Sequence, residues 1–231
     1  YDANVADSFF KLGLALRSDT VTDSFWFLKN IDLNKKDEVA ILEGFLFPDT
    51  YLFNKPISPY DVVNRMLANF EKRLAQGESA SGNNNQDGIY TLAEYPNLKV
   101  GKSTGKISLY QILILASIIE KETGRDVSKA GESQKQRLDE ERRTVAGIFF
   151  NRLAIGQALQ SDATINYATG KSDAQATYKD LEIDSPYNTY KYQGLPPGPI
   201  CNPSLSSIIA ALDPIKTDYY YFFHKQPSGE V

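Results

Sequence analysis

Cys201 and His224 are the only cysteine and the only histidine among 231 residues, and their scarcity removes several chemistries at once. No intrachain disulfide can form. Low cysteine use fits cytosolic and exported bacterial proteins alike, so it assigns no compartment. No cluster has zinc-ligand spacing, and a Ser-His-Asp triad would rest wholly on His224. Cationic blocks are also missing. The chain carries 25 Lys and Arg against 29 Asp and Glu, a net charge of −4. That balance, without a polybasic run, argues against a nucleic-acid groove or an anionic membrane patch. The longest apolar run, Ile112 to Ile119, includes Ser117 and falls far short of the roughly 20 residues that a membrane helix needs. No internal repeat occurs.

At 42% hydrophobic and 23% charged residues, the chain has the composition of a folded globular protein of one or two domains. It begins at Tyr1 rather than methionine, as a fragment or processed form would.

The first thirty residues read as two short helices, with Phe9, Leu12 and Leu16 and then Phe25, Phe27 and Leu28 as apolar faces and Thr22 as a cap. Residues 41–51 read as extended chain with a turn at Pro48-Asp49. Ser58-Pro59 opens a helix carrying Val62, Val63, Met66, Phe70 and Leu74, and Gly77 is expected to end it. Residues 78–106, rich in Gly, Ser, Asn and Lys, read as a surface loop. Ser108 and Gln111 form a capping box, with Ile107 and Ile112 as a hydrophobic staple. The helix they open is apolar on nearly every side and therefore expected to be buried all round. After a polar stretch, a helix is expected over about 139–154, with Gly156 beyond it. A short helix follows Ser161-Asp162, and a loop over 184–203 with five prolines and two glycines is stiff in places. Pro203 begins a last helix, and Tyr219 to Phe223 is a strand candidate. Helices and strands mix without a βαβ rhythm, which makes the expected class α+β.

Leu113, Ala116 and Glu120 share one helical stripe, so the Glu120 carboxyl continues an apolar face. Apolar surroundings disfavour the charged carboxylate and raise its pKa, as a general acid near neutral pH requires. A glutamate marking where the helix meets water has the same spacing. Glu122, below Ile118 and Ile119, is a rival that spacing does not eliminate. Gln160, Ser161 and Asp162 put an amide, a hydroxyl and a carboxylate before a helix, either as an N-cap or as a polar ligand-binding edge. The loop Ser185-Pro186-Tyr187-Asn188-Thr189-Tyr190 and its continuation from Gly194 to Pro199 combine aromatic faces, amides and stiff backbone, the mixture that binds sugars. Tyrosines plugging a core fit equally, in a chain with 14 Tyr and 12 Phe.

Five stretches in this order resemble the YceG-like family of endolytic murein transglycosylases: Leu42 to Tyr51, Leu115 to Thr123, Val145 to Leu153, Leu159 to Thr164, and Ser185 through Pro203. The resemblance implies a catalytic unit over 41–231, with residues 1–40 as the end of a small LysM-like lead-in. It implies anchoring to the extracytoplasmic face of the bacterial cytoplasmic membrane through a segment outside this chain. The implied reaction cuts the β-1,4 bond between N-acetylmuramic acid and N-acetylglucosamine and leaves 1,6-anhydro ends, with no metal or cofactor. By the same resemblance the catalytic glutamate is the first in Ser-Ile-Ile-Glu-Lys-Glu-Thr, Glu120. Gln160, Ser161, Asp162, Tyr187, Asn188, Thr189, Tyr190, Asn151 and Glu43 would contact the sugar. Implied partners are peptidoglycan glycan strands and cell-wall synthesis proteins. Two other readings stay open: a hydrolytic, lysozyme-like enzyme with Asp162 or Asp49 as second carboxylate, and a non-catalytic peptidoglycan-binding module.

Overall fold

Ser108 ends a strand and starts a helix in one step. Its hydroxyl accepts from the Gln111 amide, and the Gln111 side chain accepts from the Ser108 amide in return. This reciprocal cap opens α2 (Leu109–Thr123). Every residue from Ile112 to Ile119 is buried, so the helix runs through the core rather than over it. The computed structural model describes residues 24–29, 42–82, 88–91, 95, 98–100, 103–124, 131–171 and 176–223. The helices expected around Phe9, Leu12 and Leu16, and the boundary at residue 40, fall outside the described residues. Trp26–Leu28 form a single 3-10 turn.

In chain order the elements are α1 (Pro59–Ala80), β1 (Ile89–Thr91), β2 (Lys99–Val100), β3 (Ser103–Thr104), β4 (Lys106–Ser108), α2, α3 (Glu132–Ala154), α4 (Asp162–Thr169), α5 (Tyr178–Leu181) and α6 (Leu205–Leu212). β1 pairs antiparallel with β4, and β2 with β3. Helices and short antiparallel pairs on one core make the class α+β, as expected. The hub is α6. This short apolar helix packs on α1, α2 and α3, and α2 also packs on α3 and α4.

Several expectations are corrected. Gly77 does not end α1, which continues to Ala80. A Cβ at residue 77 would lie 3.0 Å from Leu205 Cδ1, so this glycine serves the close approach of α6. The stretch 78–106 is not merely a loop. Its strands are too short to show an alternating pattern, yet they deliver the buried Tyr90, whose hydroxyl donates to Glu78 Oε1 at 2.6 Å. The turn near residue 48 forms earlier, over 42–46, where Gly44 has φ +92° and Asn202 Oδ1 accepts from the amides of Gly44 and Leu46. Helix α3 starts at Glu132 rather than near 139; residues 132–137 are polar and exposed, so no apolar stripe marks this turn in the sequence. Residues 219–223 form no strand. Their carbonyls are taken by side chains instead, Tyr219 by Asn151 and Tyr220 by Arg152.

The segment leading there lies directly on α3: the Ile215 amide donates to the Arg143 carbonyl at 3.0 Å. A Cβ on Gly147 would sit 2.0 Å from the Ile215 carbonyl oxygen. Gly147→Ala is therefore expected to destabilise the fold by about 2–3 kcal/mol, the cost of forcing apart packed backbone. Chemical denaturation checks this, and an unchanged midpoint would contradict it.

Candidate active site

Two residues apart on a helix, Glu120 and Glu122 point about 200° from each other and meet different neighbours. The Glu120 carboxylate lies at the N-terminus of α6. Its Oε2 accepts from the Ser204 amide at 3.1 Å, the Ser204 hydroxyl at 2.5 Å and the Ser207 hydroxyl at 2.6 Å. Ser204 is the N-cap of α6, so Glu120 supplies from another helix the acceptor that this terminus needs. Burial works to raise the Glu120 pKa, but the Ser204 and Ser207 hydrogen bonds, with the Arg142 charge, prevail and hold it below the ordinary value. The raised pKa expected from the apolar stripe is thus reversed.

Glu122 faces the other segments singled out by sequence. The Ser161 hydroxyl donates to Glu122 Oε1 in a short hydrogen bond. Ser161 is the N-cap of α4 yet makes no side-chain cap bond, because its hydroxyl is engaged with Glu122. The backbone just ahead is held in an unusual conformation. Gln160 has φ +49°, and its amide donates to the Thr189 carbonyl at 3.0 Å. The Ser161 amide then meets Thr189 Oγ1 at 3.1 Å. Non-glycine residues with positive φ are uncommon and cluster at functional sites.

Around this pair stand Asp162, Tyr190 and Arg152. The Tyr190 hydroxyl donates to Asp162 Oδ1 at 2.5 Å. Burial, then Asp162, then the Glu122 charge push the Tyr190 hydroxyl well above its usual range. Arg152 is buried and donates to the carbonyls of Leu159 and Tyr220. Burial lowers its pKa, opposed by Tyr221, Glu122 and Tyr190. Carboxylate, hydroxyl, guanidinium and phenol thus interact electrostatically around Glu122, drawn from α2, α3, the start of α4 and the 184–203 loop.

The remaining sequence candidates divide. Tyr187 and Glu43 meet through Tyr167, whose hydroxyl donates to Glu43 Oε2 at 2.6 Å and whose ring lies 4.7 Å from that of Tyr187. Asn188 and Thr189 are fully buried and hold the loop rather than face a ligand. Asn188 Nδ2 donates to the carbonyls of Leu181 and Ile183, both at 2.9 Å, and its Oδ1 accepts from the amides of Tyr190 and Lys191. Asn188→Ala is expected to cost about 3 kcal/mol, since several buried polar groups lose their partner together. Thermal unfolding reads this cost, and a loss below about 1 kcal/mol would contradict the role. Asn151 serves the carbonyls of Thr217 and Tyr219.

Arg152, Tyr167, Ser204 and Ser207 were not foreseen. Only Arg152 left a sequence signal, an arginine inside the apolar run ending α3. Cys201 is no nucleophile: burial, then the Glu120 charge, push its thiol to about 12. Among the described residues, no group of three or more His, Cys, Asp or Glu is placed to hold a metal ion.

Comparison with known proteins bears on the family and the fold. The profile of the YceG-like family matches residues 10–231. A Bacillus subtilis protein named endolytic murein transglycosylase is 40% identical over 214 residues, spanning 92% of this chain and 48% of that protein. A Streptococcus pneumoniae protein of the same name is 33% identical over 195 residues, spanning 82% of this chain and 29% of that one. This chain therefore spans about half the length of the first relative and less than a third of the second. A crystal structure of a YceG-like protein from Listeria monocytogenes superposes with a TM-score of 0.62 at 33% identity, covering 96% of this chain and 59% of that one.

Proposed function

This chain belongs to the YceG-like family, and from that premise we propose that it is the catalytic part of a peptidoglycan lytic transglycosylase in which Glu122, rather than Glu120, carries the proton. One observation supports the choice above others: Glu122 faces Ser161, the charge of Arg152 and Tyr190, whereas Glu120 faces Ser204 and Ser207 at the start of α6. A general acid must stand beside the groups that hold its substrate, and Glu120 is instead turned to the N-terminus of α6.

In the proposed reaction the Glu122 carboxylic acid protonates the glycosidic oxygen as its bond to C1 of the muramyl residue breaks. The resulting carboxylate takes the proton from the muramyl C6 hydroxyl, and O6 bonds to C1, closing the 1,6-anhydro ring. The proton returns to Glu122 and no water is consumed. The nucleophile belongs to the substrate, so intramolecular geometry replaces a second protein carboxylate. Most glycosidases instead use two carboxylates, about 5–5.5 Å apart in retaining enzymes. The Ser161 hydroxyl, able to donate or accept, orients the carboxyl in both protonation states. Arg152 supplies positive field where charge develops, and the Tyr190 hydroxyl holds the neighbouring Asp162 carboxylate in place.

The same reading keeps residues 1–40 as the end of a LysM-like lead-in. It places the full protein at the extracytoplasmic face of the cytoplasmic membrane, beside cell-wall synthesis proteins, with endolytic cutting. A hydrolytic alternative rests on Asp162, whose carboxylate stands next to Ser161 in sequence and is held by Tyr190. Asp49, the other candidate partner, is committed to Arg73 and Asn69, which with Thr50 hold its pKa down to about 2. Digestion of peptidoglycan in ¹⁸O-labelled water separates the two reactions. Unlabelled anhydro ends support transglycosylation, and labelled reducing ends overturn it.

A further inference from the structure

The loop that delivers Tyr190 to Asp162 also builds a groove that the proposed reaction does not use. Its volume is about 570 Å³, and Asp184, Pro186, Tyr192, Leu195 and Pro197 line it. That size lies within the range of small-ligand sites. Two exposed prolines, a half-exposed leucine and the ring of Tyr192, 44% exposed, give it an apolar wall.

The groove is stiff. Tyr192 donates its amide to the Asn188 carbonyl at 2.9 Å, so it hangs from the same turn as Tyr190. The Tyr192 hydroxyl donates to Asp184 Oδ1 at 2.5 Å. The far wall is tied to the core helix, where the Tyr110 hydroxyl donates to the Pro197 carbonyl at 3.2 Å.

Charge restricts what can sit there. The one acidic group lining the groove, Asp184, is paired with Lys191 at 2.9 Å, and that ammonium lies 5.7 Å from the Tyr192 ring centroid. The two charges compensate each other, leaving neither a carboxylate nor an ammonium of a ligand much to gain. An apolar, aromatic and locally neutral groove suits a neutral pyranose, whose C–H face can lie on the Tyr192 ring while its acetamido and hydroxyl groups stay wet. A stem peptide, with its several charges, fits less well.

From the shared turn and the compensated charges, we infer that this groove is an outer sugar subsite, holding an N-acetylated hexose of the glycan strand beyond the pair at the cleaved bond. The inference rests on the transglycosylase reading and makes the enzyme favour long strands over short ones.

The test is a binding titration of β-1,4-linked N-acetylglucosamine dimer and hexamer, which carry no stem peptide, followed by amide shifts in the NMR spectrum. The unsubstituted chain should bind the hexamer more tightly than the dimer, with shifts at Tyr192 and Leu195. Tyr192→Ala should weaken the hexamer about five- to tenfold and leave the dimer nearly unchanged, as loss of one aromatic contact implies. Tyr192→Phe, which keeps the ring, should retain the hexamer affinity. Equal hexamer affinity in Tyr192→Ala and the unsubstituted chain, no hexamer binding at all, or displacement from these residues by free stem peptide alone would each overturn the inference. So would a Tyr192→Phe variant as weak as Tyr192→Ala. Cleavage by Glu122→Gln bears only on the acid/base assignment and leaves this binding comparison untouched.

Discussion

Glu122→Gln should lower the release of 1,6-anhydro-muramyl ends by about a thousandfold, the scale of a lost general acid/base. The amide is nearly the same shape as the carboxylic acid and still accepts the hydrogen bond from Ser161, so the fold should survive. The unfolding midpoint is expected to move by less than about 2 °C, because Glu122 is half-buried and one hydrogen-bond acceptor is exchanged for another. Binding of glycan should persist, which separates loss of chemistry from loss of the groove. Retained cleavage in a folded Glu122→Gln protein would remove the residue from the mechanism.

Glu120→Gln should show the opposite pattern. Glutamine offers one neutral oxygen where the carboxylate holds three donors from Ser204 and Ser207. Hydrogen bonds to charged groups contribute about 1.5–3 kcal/mol, so a loss of about 2 kcal/mol is expected, or roughly 4–8 °C in the midpoint of a chain this size. Because α6 packs on α1, α2 and α3, the loss is global rather than local. Below its own midpoint the variant should keep its cleavage rate per folded molecule.

The pH dependence has a definite sign. The folded-state pKa of Glu120 is depressed below the ordinary 4.5, chiefly by the Ser204 and Ser207 donors acting against burial. Its stabilisation is therefore fully present above the unfolded value, about 4.5, and is lost as pH falls through the folded value. The stability gap between the unsubstituted chain and Glu120→Gln should close on acidification. A gap that widens in acid would contradict the assignment.

Much of the fold was legible before any coordinates. The Ser108–Gln111 cap and the unbroken apolar run after it marked α2 and its burial, because capping and all-round hydrophobicity are local signals. The start of α3 was not legible: its first two turns are exposed and polar, so helical spacing has nothing apolar to mark. Tyr219 to Phe223 misled for the reverse reason. Its aromatic pattern suits a strand, but the partners of its carbonyls are the side chains of Asn151 and Arg152, some seventy residues away.

The candidate site was legible as a set of segments and not as a set of contacts. Ser161 meets the Glu122 carboxylate and Tyr190, bonded to Asp162, feels its charge, yet the two glutamates of Glu120-Lys121-Glu122 differ only in rotation about α2. What separates them is that Ser204 lies on one side and Ser161 on the other, a tertiary fact with no local signature. Asn188 and Thr189 looked like ligand-facing polar residues because side chains that satisfy buried backbone are of the same types as those that bind sugars.

The most direct measurement is a side-by-side digestion of peptidoglycan by Glu120→Gln and Glu122→Gln, held below both unfolding midpoints, counting anhydro-muramyl ends per folded molecule by mass spectrometry. Cleavage by the first and none by the second is the expected result. Cleavage by Glu122→Gln with none by a folded Glu120→Gln would return the proton to the first glutamate and contradict the proposed site.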